Sequence, residues 1–203
     1  MTAVLEVTLS WLFKNAKGRD AKSFYTRPAF ANCAEQSIAV TSPDCGENGA
    51  KMDVDYTHDG DGKFPALQWS APPDIAEQVK EWLLVSEDPD APLPTPICHG
   101  IYYGIPPTEN SVKATDFEVV DKTKGLMKGG FHYGRSRNGS PYIAPRPLLN
   151  HGPHRYFYMV VALKEPLPDT LKTPAVTRDQ IADAIVGRVL GWGMWTGVAE
   201  RKW

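Results

Sequence analysis

From about residue 37 onward, apolar and polar positions alternate in short runs bounded by proline, glycine and aspartate, the pattern of strands joined by turns. Strands are expected over 37–41, 51–57, 64–69, 81–86, 97–105 and 155–163. In 51–57, Met52, Val54 and Tyr56 alternate with Asp53 and Asp55, which describes a half-buried strand. Trp82, Leu83, Leu84 and Val85 form an unbroken apolar run, as in a central strand covered on both faces. Around 155–163, His154, Tyr156, Tyr158 and Val160 share one face, and Arg155, Phe157, Met159 and Val161 the other. His154 and Tyr156 therefore point the same way.

The spacing predicts one helix over 177–190. Thr177 and Gln180 have capping-box spacing, Ile181, Ala184, Ile185, Val189 and Leu190 recur at helical intervals, and Gly191 can end it. Trp195 and Val198 then return as an edge strand. At the other end, Val4, Leu5, Val7, Leu9, Trp11, Leu12 and Phe13, interrupted by Glu6, predict a short amphipathic helix packed on the domain, within a helical extension of about residues 1–35. No basic leader with a cleavage site frames it, and no apolar run approaches the ~20 residues of a membrane span. The whole reads as one mainly β domain over 1–203.

With 42% hydrophobic and 23% charged residues and a net charge of −2, the chain falls in the ordinary globular class and has no bulk attraction for nucleic acid. Cys33, Cys45 and Cys98 are odd in number and unpaired in spacing, so reduced thiols and a cytoplasmic location are expected, with no metal site and no cofactor.

Three segments carry candidate chemistry. Asp88-Pro89-Asp90-Ala91-Pro92 closes the central apolar strand, where proline pushes Asp88 toward extended geometry; read alone it is a turn. His99 sits in an apolar strand before Gly100, which leaves room for close backbone approach. A stiff loop containing Ala144, Pro145, Arg146 and Pro147 leads through His151 and Pro153 to His154-Arg155-Tyr156. His151 and His154 are three apart, but Pro153 between them excludes a helical metal pair.

In this order the segments resemble the phosphatidylethanolamine-binding protein family, marked by Asp-Pro-Asp-Ala-Pro, a strand histidine and a Gly/Pro loop entering His-Arg-Tyr. The resemblance covers about 36–163, and 177–203 looks like the helix and Gly-Trp-Gly tail of microbial-type members. It departs from the pattern before His99, where Ile97 and Cys98 replace the usual aromatic residue. It departs again in the loop, where Ala144-Pro145-Arg146-Pro147-Leu148 stands for Gly-x-(Gly or Cys)-Pro-Pro.

The resemblance implies an antiparallel β-sandwich with a Greek-key core, a C-terminal helix and a short N-terminal helix. It also implies a pocket for phosphate, a phosphoryl head group or a carboxylate. In that pocket His99, His154 and Tyr156 would donate, the Ala144 amide would complete the cradle, and Asp88 would fix a histidine or bond the ligand. Arg146 would hold an anion if turned inward and merely solvate the loop if turned outward. Asp90, Pro92 and Arg155 would be structural, because Arg155 lies on the face opposite His154.

A donor-rich pocket without a nucleophile beside a base suits binding. The resemblance leaves two other functions open. One is catalysis on maleic-anhydride-type intermediates of a fungal natural-product pathway (maleidride dimerisation or cyclisation), with Asp88, His99 and His154 as acid–base residues. The other is inhibition of a kinase or protease, or an adaptor role, through a protein partner.

Overall fold

The computed structural model describes residues 3–203. Its strands are β1 (Ala39–Thr41), β2 (Leu67–Ser70), β3 (Glu81–Asp88), β4 (Ile97–Ile105), β5 (Ser111–Val112), β6 (Val119–Asp121), β7 (Leu126–Met127), β8 (His132–Tyr133), β9 (His154–Leu163) and β10 (Val189–Ala199). The α-helices are α1 (Ala3–Leu12), α2 (Pro73–Ala76) and α3 (Arg178–Ala184). Seven strands form one sheet in the order β10-β9-β3-β4-β8-β7-β6, and three form a second, β1-β2-β5. All the strand pairs in both are antiparallel. The mainly β sandwich is as expected.

Both faces of β3 are covered, which is why its apolar run is continuous and all of its residues are buried. On one face the small sheet and its loops bring Ile38, Met52, Phe64, Leu67 and Trp69 against Trp82, Leu84, Tyr102, Tyr156 and Tyr158. On the other, Phe24 and Phe30, with Val176, Ile181 and Ile185, cover Leu83, Val85, Met159 and Val161. Residues 20–30 fold as three 3-10 turns that complete this second core, so this part of the expected extension is integral to the domain. Each such side chain, fully buried, contributes about 1.5–3 kcal/mol.

The strand expected over 51–57 does not form. Lys51 makes one bridge to Val198, and Val54–Tyr56 then closes a 3-10 turn. The chain doubles back here, with Lys63 N–H donating to Asp55 O (3.0 Å) and Gly60 so close that a Cβ would lie 2.4 Å from Val54 O. The alternation therefore pairs with β10 only at its first two residues before the chain turns away.

The C-terminal helix begins as expected, with the Thr177–Gln180 capping box, but ends at Ala184 rather than 190. Gly187, at φ 74°, turns the chain, and Val189 and Leu190 open β10. Their helical spacing is overridden by pairing with β9 along almost the whole of that strand. Gly191 is no helix cap; it lies at a register shift in β10.

β10 carries Trp195 and Val198 at the sheet edge, and its outer side is sealed by loops. Ser37 and Ile38 N–H donate to Trp192 O, Gly49 N–H to Thr196 O and Met52 N–H to Val198 O, at 2.7–3.1 Å. Gly193 permits this approach, since a Cβ there would stand 1.8 Å from Ile38 O.

The described part of the N-terminal helix packs on the domain, but by its polar side. Glu6 and Ser10 are its buried residues, while Val4, Leu5, Trp11 and Leu12 are exposed. Among the described residues no helix is long and apolar enough to cross a membrane.

Candidate functional site

The end of β3 and the starts of β4 and β9 bring Asp88, His99, His154 and Tyr156 into one buried cluster, each no more than 4% exposed. Asp88 Oδ1 accepts the Asp90 and Ala91 N–H groups at 2.7 and 2.9 Å, a turn stiffened by Pro89, with half-buried Pro92 just beyond. Its Oδ2 lies 2.9 Å from His154 Nδ1.

Asp90 turns to the scaffold. It accepts the Arg155 N–H and Nε–H at 2.9 and 2.8 Å, and the same guanidinium forks onto Asp20 at 2.9 and 2.8 Å. Burial raises the Asp90 pKa, but the Arg155 hydrogen bonds outweigh it and hold the carboxyl below its ordinary value.

His99 is aimed by an irregularity in the ladder. Ser86 pairs Gly100 and Glu87 pairs Cys98, so His99 is the extra residue of a β-bulge. Cys98 and Ile101 join the second core, while His99 packs edge-on to Tyr156 with ring centroids 5.2 Å apart. The 143 segment then locks the histidine: Ile143 N–H donates to His99 O (2.8 Å), and His99 Nδ1 lies 2.6 Å from Ile143 O. A carbonyl only accepts, so Nδ1 carries the proton and neutral His99 presents Nε2 as a bare acceptor. Burial holds its pKa below the ordinary imidazole value against the opposing charge of Asp88.

His99 Nε2 and the Tyr156 hydroxyl are both buried with no hydrogen-bond partner among the described residues. Burial, reinforced by Asp88, raises the Tyr156 pKa well above the usual phenol value, so it offers a proton rather than a charge. Two buried unsatisfied groups cost about 1–3 kcal/mol each. The space beside Gly100, expected for a close backbone approach, is taken by Tyr102, whose hydroxyl would lie 2.3 Å from a Cβ at that position.

His154 is fully engaged. Its Nε2 lies 2.7 Å from His151 Nδ1, and His151 Nε2 lies 2.9 Å from the Phe13 carbonyl just beyond α1. Asn150 at φ 60° and Gly152 at φ 86° curl the loop so that two histidines three apart meet edge-on, with ring centroids 4.9 Å apart. The row Asp88–His154–His151–Phe13 O has three contacts, each needing one proton. An ionised carboxylate and two neutral imidazoles carry only two, so the row holds one more. Burial lowers the His151 pKa below the ordinary imidazole value. The ligand-donor role expected for His154 thus competes with bonds already made by both ring nitrogens.

Ala144 has no positive φ, so replacing the family's glycine leaves no backbone strain. Arg146 turns neither inward nor freely outward: its Nη2 donates to Glu6 Oε1 of α1 at 2.8 Å. Glu6 and His151 had no marker in the sequence beyond a lone acid in an apolar stretch and a histidine pair.

A sequence profile described as Phosphatidylethanolamine-binding protein matches residues 42–200. The chain belongs to the phosphatidylethanolamine-binding protein family. Two curated relatives share the name "Phomoidride biosynthesis cluster protein B". One, from Talaromyces stipitatus, is 43% identical over 202 residues, covering 98% of this chain and 82% of the relative. The other, from a fungal species, is 42% identical over 202 residues, covering 98% and 96%. Among solved structures, a phosphatidylethanolamine-binding protein homologue from Chlamydia trachomatis superposes with a TM-score of 0.66 at 23% identity, covering 82% of this chain and 99% of that one. At that identity the likeness is one of fold.

Proposed function

We propose that this family member binds a small anionic ligand (a phosphate, a phosphoryl head group or a carboxylate) at the His99–Tyr156 side of the buried cluster. The observation that carries the reading is the pair of buried, partnerless polar groups, His99 Nε2 and the Tyr156 hydroxyl. Tyr156 donates directly, and His99 donates once it takes up a proton. Asp88 and His154 shape and charge the wall behind them. Calorimetry with inorganic phosphate and with maleate tests this. Tyr156→Phe weakens both by about tenfold, the scale of one well-made hydrogen bond; an unchanged affinity overturns the assignment.

A second reading is favoured by the names of the two fungal relatives and by the His99 tautomer. A neutral, buried Nε2 lone pair is a base, and a phenol beside it is a donor for a developing enolate oxygen. On a maleic-anhydride-type intermediate, His99 would remove a C–H proton next to the carbonyl. The resulting enolate would form a C–C bond with a second unit, and His99 would return the proton. Incubation with such anhydrides and their hydrolysed diacids, followed by mass spectrometry, decides it. Turnover unaltered in His99→Phe removes catalysis by this site.

A further inference from the structure

Among the described residues, α1 is held on by polar groups of the site rather than by apolar packing. Glu6, 2% exposed, is clamped between two guanidinium groups: Arg146 Nη2 donates to Oε1 and Arg201 Nη1 to Oε2, both at 2.8 Å. Just past the other end of the helix, the Phe13 carbonyl takes the His151 Nε2–H bond. None of the apolar side chains of α1 belongs to either core, and Val4, Leu5, Trp11 and Leu12 face outward. An element with few buried apolar contacts opens locally at low free energy. The backbone amide of Arg146 itself comes near enough to temper the rise that burial causes in the Tyr156 pKa, without reaching hydrogen-bond geometry.

We propose that Arg146 and Arg201 form a carboxylate-binding fork of the ligand site, that Glu6 is its intramolecular occupant, and that α1 is a lid released when a ligand carboxylate replaces Glu6. The ligand class is then a dicarboxylate, one end on the arginine fork and the other at His99 and Tyr156. Two guanidinium groups on the two oxygens of one carboxylate make the directional recognition that a free diacid would receive. The charges balance in both states, since one carboxylate leaves the arginines as another arrives. The inference rests on the anionic-ligand reading above.

The test uses the full chain with maleate as probe and compares Glu6→Gln with Arg146→Leu. Both break the latch, so hydrogen exchange of residues 3–13 quickens in both, while the main thermal transition shows that the sandwich is folded. Affinity for maleate then moves in opposite directions. It rises about tenfold in Glu6→Gln, where the fork is freed, and falls about tenfold in Arg146→Leu, where half of it is gone. A lid of purely structural role shifts both the same way or neither, and that result overturns the proposal. Wild-type chain that binds phosphate and maleate alongside an indistinguishable Glu6→Gln sinks the fork alone. Failure of wild type and Glu6→Gln to bind either anion sinks the pocket reading with it.

Discussion

At the end of β3 two consecutive carboxylates, Glu87 and Asp88, are buried on opposite faces of the sheet and treated differently. Glu87 receives the Phe24 N–H at 2.8 Å and the Arg178 Nε–H. Its counter-charge is a guanidinium, and every contact closes the second core. Asp88 meets two backbone N–H groups and an imidazole, with partnerless His99 and Tyr156 atoms nearby. A buried acid answered by a fixed cation stiffens the fold. One answered by movable protons leaves chemistry available at the cost of incomplete hydrogen bonding.

The sharpest way to break that contrast is at Glu87. Arg178→Met strands a fully buried carboxylate and lowers stability by about 3–5 kcal/mol in urea denaturation. A loss below about 1 kcal/mol would show that the pair is solvated after all.

His154→Ala comes next, at about 2–3 kcal/mol, because it leaves Asp88 Oδ2 and His151 Nδ1 each without a partner. Tyr156→Phe is the opposite case. It removes a group that already lacks a partner, so stability stays within about 1 kcal/mol of wild type while anion affinity falls.

The smallest effects are in pH. His99 and His151 are held below the ordinary imidazole pKa by burial, so the unfolded chain takes up protons first. Their contribution is full above about pH 6.5 and declines as pH falls toward the folded values. Denaturation curves from pH 8 to 5 read it. For Glu6, burial raises the pKa, but the hydrogen bonds of Arg146 and Arg201 prevail and hold it low. The stabilisation from Glu6 and Asp90 persists above an unfolded carboxylate pKa of about 4 and is lost only below it. Anion binding that draws a proton onto His99 weakens as pH rises through neutrality, and calorimetry in buffers of different ionisation heat measures the proton taken up.

The sequence made some of this legible. Period-two patterning in β9 placed Tyr156 and Tyr158 in one core and Met159 and Val161 in the other, because that strand is paired on both sides. The same patterning misled at Met52–Tyr56, where the chain leaves β10 after Met52 and turns into the 3-10 segment Val54–Tyr56. The aim of His99 at Tyr156 depends on a bulge, which comes from how β3 and β4 pair and leaves no trace in either strand alone. The Glu6 contacts join residues 140 and 195 positions apart, and local spacing carries no information at that range. Arg146 was recognisable as a charge beside the site, but its direction depended on a helix whose own pattern suggested the opposite face.

The loops along β10 have a consequence for how copies of this protein behave in a crowded solution. An unprotected strand of eleven residues would be a template for recruiting another chain. Here residues 37–38, 49 and 52 occupy that template. A side chain as small as alanine at Gly193 would wedge the first of these away, so self-association would begin at that rim while the interior stayed folded.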